Sequence, residues 1–119
     1  MKKLVWVGSS REDLKEFPPP VCSAIGYALF FAQSGKKHPH TKTLSGMGGA
    51  SVIEIKENDP SGTYRLIYTI ETEEYIFILH AFQKKSKSGK ATPKQELDMV
   101  KKRLKESRVL YKELIGRKK

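Results

Sequence analysis

Four short segments of the chain combine apolar and polar residues in the pattern of β-strands. They read KKLVWVG near the start, then SVIEIKE, TYRLIYTIE and EYIFILHAF in close succession. Their length and their content of β-branched and aromatic residues are typical of strands. Only the connectors NDPSG and TEE separate the last three segments, and short connectors join antiparallel neighbours. These three segments are therefore predicted to form an antiparallel meander.

Three other segments have the spacing of helices. SSREDLKEF places serines before acidic residues, which favours a short first helix. Prolines 18–20 end it and begin a second, PPVCSAIGYALFFAQSG, whose apolar stripe continues until Gly35. The last helix opens in TPKQE, where Thr92 is expected to act as a cap and Pro93 to take the first helical position. Its basic surface surrounds an apolar stripe formed by Leu97, Val100, Leu104 and Tyr111.

The order of these elements predicts an α+β protein, in which two N-terminal helices pack on a small, mainly antiparallel sheet and a basic helix follows. The 119 residues suit a single domain spanning residues 1–119. The segment KKHPHTKTLSGMGGAS has no regular period and is predicted to be an exposed loop. No stretch has the apolar length of a membrane span, and the N-terminus lacks the pattern of a secretory signal, so a cytoplasmic protein is expected.

The net positive charge of the chain comes entirely from its last third. Residues 1–82 carry 9 Lys or Arg and 9 Asp or Glu, whereas residues 83–119 carry 14 and 4, which accounts for the net charge of +10. Such a surplus favours a polyanionic partner, either nucleic acid or an acidic protein segment. The alternative interpretation is a basic helix that is merely solvated.

Several charged side chains are predicted to lie on defined faces of the strands. The two-residue period sends Glu54 and Lys56 to the face opposite Ile53 and Ile55, and it sends Arg65 to the face opposite its apolar neighbours. In the last strand, the same period predicts that His80 and Phe82 share a face with Ile78. Antiparallel pairing can bring Glu54, Lys56, Arg65 and His80 onto one surface, although the strand registers are not fixed by the sequence.

That set of residues suits the metal-independent cleavage of RNA. The reaction needs a base for the 2′-hydroxyl proton, cations for the charge that develops on phosphorus, and an acid for the 5′-oxygen. Glu54 or His80 is a candidate base, Arg65 and a lysine are candidate clamps, and His80 or a lysine of lowered pKa is a candidate acid. Phe82 is a candidate for stacking on a base. A half-solvated charged face and a hydrogen-bonded core histidine would account for the same residues without any catalysis.

Two histidines in the predicted loop raise the question of a metal. His38 and His40 can in principle share an ion, but the neighbouring sequence offers no third ligand of the right type, and Pro39 restricts their geometry. The glycine-rich GMGGAS precedes a strand and lacks the strand and helix context of a phosphate-binding loop. We therefore expect neither a metal nor another cofactor.

Larger parts of the sequence resemble a known family. HPHTKTLSGMGG, IEIKE, GTYRLIYTI and IFILHAFQKKSKSGKATPKQELDMVKKRL together are similar to the phage-derived Gp49-like branch of the HigB toxins, within the RelE/ParE superfamily. The resemblance extends from WVGSSREDLKEFP through the C-terminal helix. Its most specific part is LHAFQKKSKSGKATPKQE.

The resemblance implies a RelE-like toxin domain that is neutralised by a helix-turn-helix antitoxin of the HigA type. It also implies metal-independent cleavage of messenger RNA on the ribosome, although ParE-type relatives keep the fold and inhibit gyrase instead. The catalytic positions implied here are Lys56, Arg65, His80, Lys84 and Lys85. Contacts with RNA are expected from Lys42, Phe82, Lys87, Lys90 and Lys94.

Overall fold

The computed structural model of the chain describes residues 1–84 and 92–117. The predicted roles of Lys85, Lys87 and Lys90 fall outside the described residues. The helices and strands follow in the order β1 (Lys3–Trp6), α1 (Ser10–Lys15), α2 (Pro19–Gln33), β2 (Thr41–Thr43), β3 (Val52–Asp59), β4 (Gly62–Thr69), β5 (Tyr75–Lys84) and α3 (Lys94–Arg117). Among the described residues, no helix is both long enough and apolar enough to cross a membrane.

The strands form one five-stranded sheet in the order β1-β5-β4-β3-β2. Strands β2 to β5 pair in antiparallel fashion, which confirms the predicted meander. β1 pairs with β5 in parallel, so the sheet is mainly antiparallel, as predicted. β2 lies inside the segment that was expected to be a loop. Its sequence TKT has no apolar residue to give it a strand pattern, and it is held at the sheet edge by pairing with β3.

One face of the sheet is covered mainly by α2. Five buried residues of this helix pack on apolar side chains of β3, β4 and β5, and they are Val21, Ile25, Ala28, Leu29 and Ala32. α1 has only six residues, and its contribution to this core is the partly buried Leu14. The predicted α+β class is confirmed, whereas the prediction of two helices packed on the sheet holds only in part.

The opposite face is covered by α3. Val100 and Leu104 of this helix are buried against β5 residues that include Phe77 and Leu79. Arg103, one helical position away, reaches through to the turn before α1, where its Nη2 donates to Ser9 Oγ at 3.0 Å. In that turn Gly8 has a φ of 56°, and a Cβ on Gly8 would lie 2.8 Å from Arg103 Nε. The turn therefore requires glycine for its backbone conformation and for its close contact with α3.

A β-bulge in β5 decides which side chains face α3. Ile67 of β4 pairs with His80, whereas the next residue, Tyr68, pairs with Ile78, so Leu79 is an extra residue in the strand. Beyond the bulge, the alternation of side chains in β5 is shifted by one position. The prediction that His80 and Phe82 share a face with Ile78 is therefore wrong: Ile78 packs under α2, and Phe82 packs in the core under α3.

Candidate active site

Four antiparallel strands each contribute one cation to the α3 face of the sheet. Lys42 of β2 pairs with Glu54 of β3, and Lys56 of β3 pairs with Arg65 of β4. Lys84 of β5 pairs with Thr63, which lies on the same face as Arg65. The predicted faces of Glu54, Lys56 and Arg65 are thus confirmed, and the registers bring these charges together. We refer to Lys42, Glu54, Lys56, Arg65 and Lys84 as the cation cluster.

A buried carboxylate lies at the centre of the cation cluster. Glu54 has no exposed surface, and Arg65 is only 1% exposed. Arg65 Nη1 donates to Glu54 Oε1 at 3.2 Å and to Oε2 at 3.3 Å. Lys42 Nζ lies 3.7 Å from Glu54 Oε1, although most of the Lys42 side chain is in solvent. A buried charge requires such pairing, because desolvation without a partner costs several kcal/mol.

Thr92 connects this pair to the segment that leads into α3. Its hydroxyl donates to Glu54 Oε2 at 2.6 Å and accepts from Arg65 Nη1 at 3.1 Å. The sequence pattern predicted Thr92 as a helix cap and gave no indication of these contacts, because its partners are 38 and 27 residues away. A threonine hydroxyl can donate one hydrogen bond and accept another. It can therefore bridge a carboxylate, which only accepts, and a guanidinium, which only donates.

Lys84 is electrostatically coupled to the other charges. Its side chain is largely buried, and burial is the main reason why the pKa of Lys84 lies below its usual value. The charges of Arg65 and Lys56, and to a smaller extent that of Lys42, lower the pKa of Lys84 further. The carboxylate of Glu54 opposes this shift. A lysine in such surroundings gives up its proton more readily than a solvated one.

His80 is a residue of β5, and its largely buried side chain lies between the sheet and α3. Its Nε2 is 3.0 Å from Glu96 Oε2, and its Nδ1 is 3.3 Å from Arg103 Nη1. Because an arginine can only donate, Nδ1 accepts, and the proton of the neutral ring is on Nε2 and points to Glu96. Burial lowers the pKa of His80, Glu96 opposes this effect, and Arg103 adds to it. The ring also stacks on Phe82, with centroids 5.1 Å apart.

Of the other predicted site residues, Lys56 and Lys94 are exposed and Phe82 is buried. Lys56 is exposed beside the buried Arg65, and Lys94 is exposed at the first residue of α3. Phe82 is 9% exposed, so its ring serves mainly as packing for His80. A cavity of about 510 Å³ opens at the sheet edge beyond the short β2, where it is lined by Lys42, Glu54 and Lys56 and also by His40 and Glu57.

A separate group of possible metal ligands lies on the other side of β3. His38, His40 and Glu57 each present a ligand atom, and these atoms lie within 4.8 Å of one another. Glu57 is the third ligand that the neighbouring sequence of the two histidines lacks, and it comes from β3, 17 residues further on. The expectation that no third ligand is available is therefore wrong.

The described residues form a five-stranded sheet with α2 on one face and the C-terminal α3 on the other. Residues 12–105 match the family described as "Phage derived protein Gp49-like (DUF891)". This match covers most of the chain, and the protein belongs to the Gp49-like family. The Gp49-like part of the resemblance is thus confirmed.

Two solved structures are similar to this chain. The isolated E. coli RelE toxin has a TM-score of 0.52 and 16% sequence identity, over 86% of this chain and 98% of that chain. A chain of the toxin-antitoxin complex RelBE2 from Mycobacterium tuberculosis has a TM-score of 0.49 and 25% identity, over 70% of this chain and 98% of that chain. At its level of identity, the likeness to RelE shows the fold alone. No curated protein matches the chain.

Proposed function

We propose that this protein is the toxin of a toxin-antitoxin pair and that it cleaves messenger RNA on the ribosome without a metal ion. The observation that carries the proposal is the excess of positive charge in the cation cluster, where four cations surround one carboxylate. Residues 85–91, which follow β5, read KSKSGKA and add no acidic side chain. Like charges so close together repel each other, and a bound phosphate group removes that repulsion.

The spacing along β5 supports a division of labour around a phosphate. His80 and Lys84 lie two residues to either side of Phe82 on the same face, which is about 6.6 Å along the strand in each direction. Phe82 pairs with Arg65 and both are buried, so in our proposal the phosphate lies at the surface beside this pair, with His80 on one side and Lys84 on the other. In our proposal, His80 takes the 2′-hydroxyl proton, the 2′-oxygen attacks phosphorus, and Lys84 protonates the departing 5′-oxygen.

The cations of the cluster have two roles in this scheme. Lys42 and Lys56 are exposed and bind phosphates of the RNA directly. Arg65 is buried and acts through its charge, which stabilises the negative charge that develops on phosphorus. In our proposal, Lys85, Lys87, Lys90 and Lys94 also contact the RNA. Glu96 holds the imidazole of His80 in position, and proton uptake by His80 requires Glu96 or Arg103 to move from its ring nitrogen.

We also propose that a small helix-turn-helix antitoxin of the HigA type neutralises the protein. The fold shared with the RelE toxin supports a partner of this general kind. Detection of a gene for such a protein beside the gene for this chain, followed by co-purification of the two products, would test the assignment. Growth inhibition that persists when the neighbouring protein is co-expressed would contradict it.

Substitution of Lys84 tests the cleavage reaction itself. Loss of a general acid costs a factor of about 10² to 10⁴ in rate. Primer extension on cellular mRNA should therefore detect no cleavage by Lys84→Ala. Lys84→Arg keeps the positive charge, but an arginine does not release its proton, so this variant should cleave little more mRNA than Lys84→Ala. The matched control is Lys15→Gln, an exposed lysine of α1, which should cleave like the wild type. Growth arrest with intact mRNA, together with inhibition of gyrase supercoiling, would contradict the proposal.

A further inference from the structure

The histidine pair and Glu57 form a compact group outside the cation cluster. His40 Nδ1 lies 2.6 Å from Glu57 Oε1, and the His40 backbone N–H donates to His38 Nδ1 at 3.1 Å. Thr41 fixes the turn, because its hydroxyl donates to the carbonyl of His38 at 2.6 Å. Two imidazoles and one carboxylate therefore converge, although Pro39 separates the histidines, which precede β2, and Glu57 lies on β3.

The surroundings hold two of the three groups in position. The His38 ring contacts Phe31 and Tyr27 of α2 edge-on, with centroids 5.2 and 5.8 Å apart. Glu57 is largely buried on β3, where the adjacent Lys56 N–H donates to the His40 carbonyl at 3.0 Å. The His40 side chain is 56% exposed and can rotate without disturbing the core. The His38 and Glu57 side chains are thus held in place, but His38 Nδ1 accepts the His40 N–H and must release it when the ring binds an ion.

From this geometry we infer that His38, His40 and Glu57 bind one zinc ion. Two histidines and one carboxylate are a set of ligands that zinc accepts, with water in the fourth position. Neighbouring ligands of a tetrahedral zinc ion are roughly 3.3 Å apart, given metal–ligand distances of roughly 2.0–2.1 Å. The present contact between His40 and Glu57 is shorter, and the three ligand atoms lie within 4.8 Å of one another, so the ion replaces this hydrogen bond and requires the three side chains to adjust around it.

The zinc site is independent of the proposed RNA cleavage. Glu57 faces the α2 side of β3, whereas Glu54 and Lys56 face the α3 side, so the ion has no ligand in the cation cluster, although both groups border the same cavity at the sheet edge. Its effect is to fasten the segment before β2 to β3. The alternative is that His40 and Glu57 form only a hydrogen bond, in which case the chain would bind no zinc ion at a defined stoichiometry.

Zinc titration of the full chain, prepared without a histidine tag and stripped with a chelator, separates these two possibilities. We expect one equivalent of zinc per chain in a competition assay with a chromophoric chelator. Glu57→Gln and His40→Ala should each weaken binding by more than about tenfold, because loss even of an outer-shell partner costs that much. Cobalt(II) should give the intense visible absorption of a tetrahedral site in the wild type and lose it in both variants.

Three controls make the result decisive. Glu73→Gln changes an exposed glutamate elsewhere, His80→Gln removes the third histidine, and Cys22→Ser removes the only thiol. All three should bind zinc like the wild type, and circular dichroism should show that every variant is folded. The proposal is overturned if the wild type binds no zinc at a stoichiometry of one. It is equally overturned if Glu57→Gln and His40→Ala bind normally, or if a control loses binding. None of these readouts depends on RNA cleavage.

Discussion

Glu54 is the residue that allows four cations to share one face of the sheet. Its carboxylate has no exposed surface and contacts Arg65, Thr92 and Lys42. Strand β3 places it there because the neighbouring Ile53 and Ile55 are buried on the opposite face. The same contact set links three strands to the segment before α3, so stability and the candidate site depend on one side chain.

Replacement of this carboxylate by an amide should destabilise the protein. Glu54→Gln removes the carboxylate that the buried guanidinium of Arg65 contacts, and breaking a buried pair in this way costs about 3 kcal/mol or more in the free energy of unfolding. Urea denaturation followed by circular dichroism measures the change. The control Glu73→Gln, at an exposed position, should stay within about 0.5 kcal/mol of the wild type. Equal stability of the two variants would show that the buried pair contributes nothing.

The ring of His80 predicts how stability changes with pH. Burial lowers its pKa in the folded state, while Glu96 and Arg103 of α3 and Asp13 of α1 are the charges that face it. In the unfolded chain the ring binds a proton at about pH 6.5. The unfolded state therefore binds more protons below that pH, so the stabilising contribution is present above it and is lost as the pH falls through the folded pKa.

Denaturation of wild type and His80→Gln at several pH values checks this prediction. Between about pH 7.5 and about pH 5, the wild type should lose free energy of unfolding with a steeper slope than the variant. The extra slope from one group is at most about 1.4 kcal/mol per pH unit. Parallel curves for the two proteins would mean that His80 titrates alike in the folded and unfolded states.

The sequence predicts some residues of the site much better than others. The two-residue period alone places Glu54, Lys56 and Arg65 on one face, and the structure confirms it. Thr92 and Glu57 were missed, because their contacts depend on how distant elements meet and leave no periodic signal in the local sequence. Local pattern therefore predicts the face of a side chain, whereas its partners follow from tertiary packing.

At the scale of elements, the bulge at Leu79 is the feature that the sequence does not predict. A regular strand would keep His80 on the side of Ile78, under α2. The extra residue shifts the alternation, and His80 instead reaches Glu96 and Arg103 of α3. The boundaries of α2 and the meander follow from prolines, glycines and short connectors, which are local signals. A bulge depends on which residues of two strands pair, and that information is not local.

Two glycines in different elements should respond to alanine in opposite directions. Gly8, in the turn before α1, has a positive φ, and a Cβ there would meet Arg103, so Gly8→Ala should cost about 2 kcal/mol of stability. Gly26 is exposed within α2 and has nothing within 4 Å of its would-be Cβ, so Gly26→Ala should stabilise the protein by about 0.5–1 kcal/mol. Thermal or urea denaturation of the pair checks both signs. A neutral Gly8→Ala would show that the turn adapts.

At the scale of the whole molecule, charge is unevenly distributed between two surfaces. The cation cluster spans the α3 face of the sheet, and α3 itself carries exposed lysines such as Lys105 and Lys112. Either surface can attract a polyanion, and salt dependence distinguishes them because each neutralised phosphate of single-stranded RNA contributes about 0.7 to the slope of log K against log salt.

The double variant Lys42→Gln/Lys56→Gln should therefore reduce that slope by about 1.4. The measurement is binding of a short single-stranded RNA with 2′-O-methyl groups, which cannot be cleaved, over a range of salt concentrations. Lys105→Gln/Lys112→Gln is the matched control and should leave the slope unchanged. A larger effect of the control pair would assign the RNA-binding surface to α3 instead.

The order in which the polypeptide is synthesised adds a consequence of the sheet topology. Among the described strands, β5 is synthesised last, although it lies between β1 and β4 in the sheet. β1 therefore cannot pair with β5 until some 70 further residues have been synthesised. Lys84 is the last residue of β5 and Thr92 follows it, so a nascent chain that has exposed only its first four strands lacks one of the three contacts of Glu54. Domains complete their long-range contacts only when the required segments have left the ribosome. The candidate active site is therefore completed only after β5 and Thr92 have left the ribosome, later than the pairing among β2, β3 and β4.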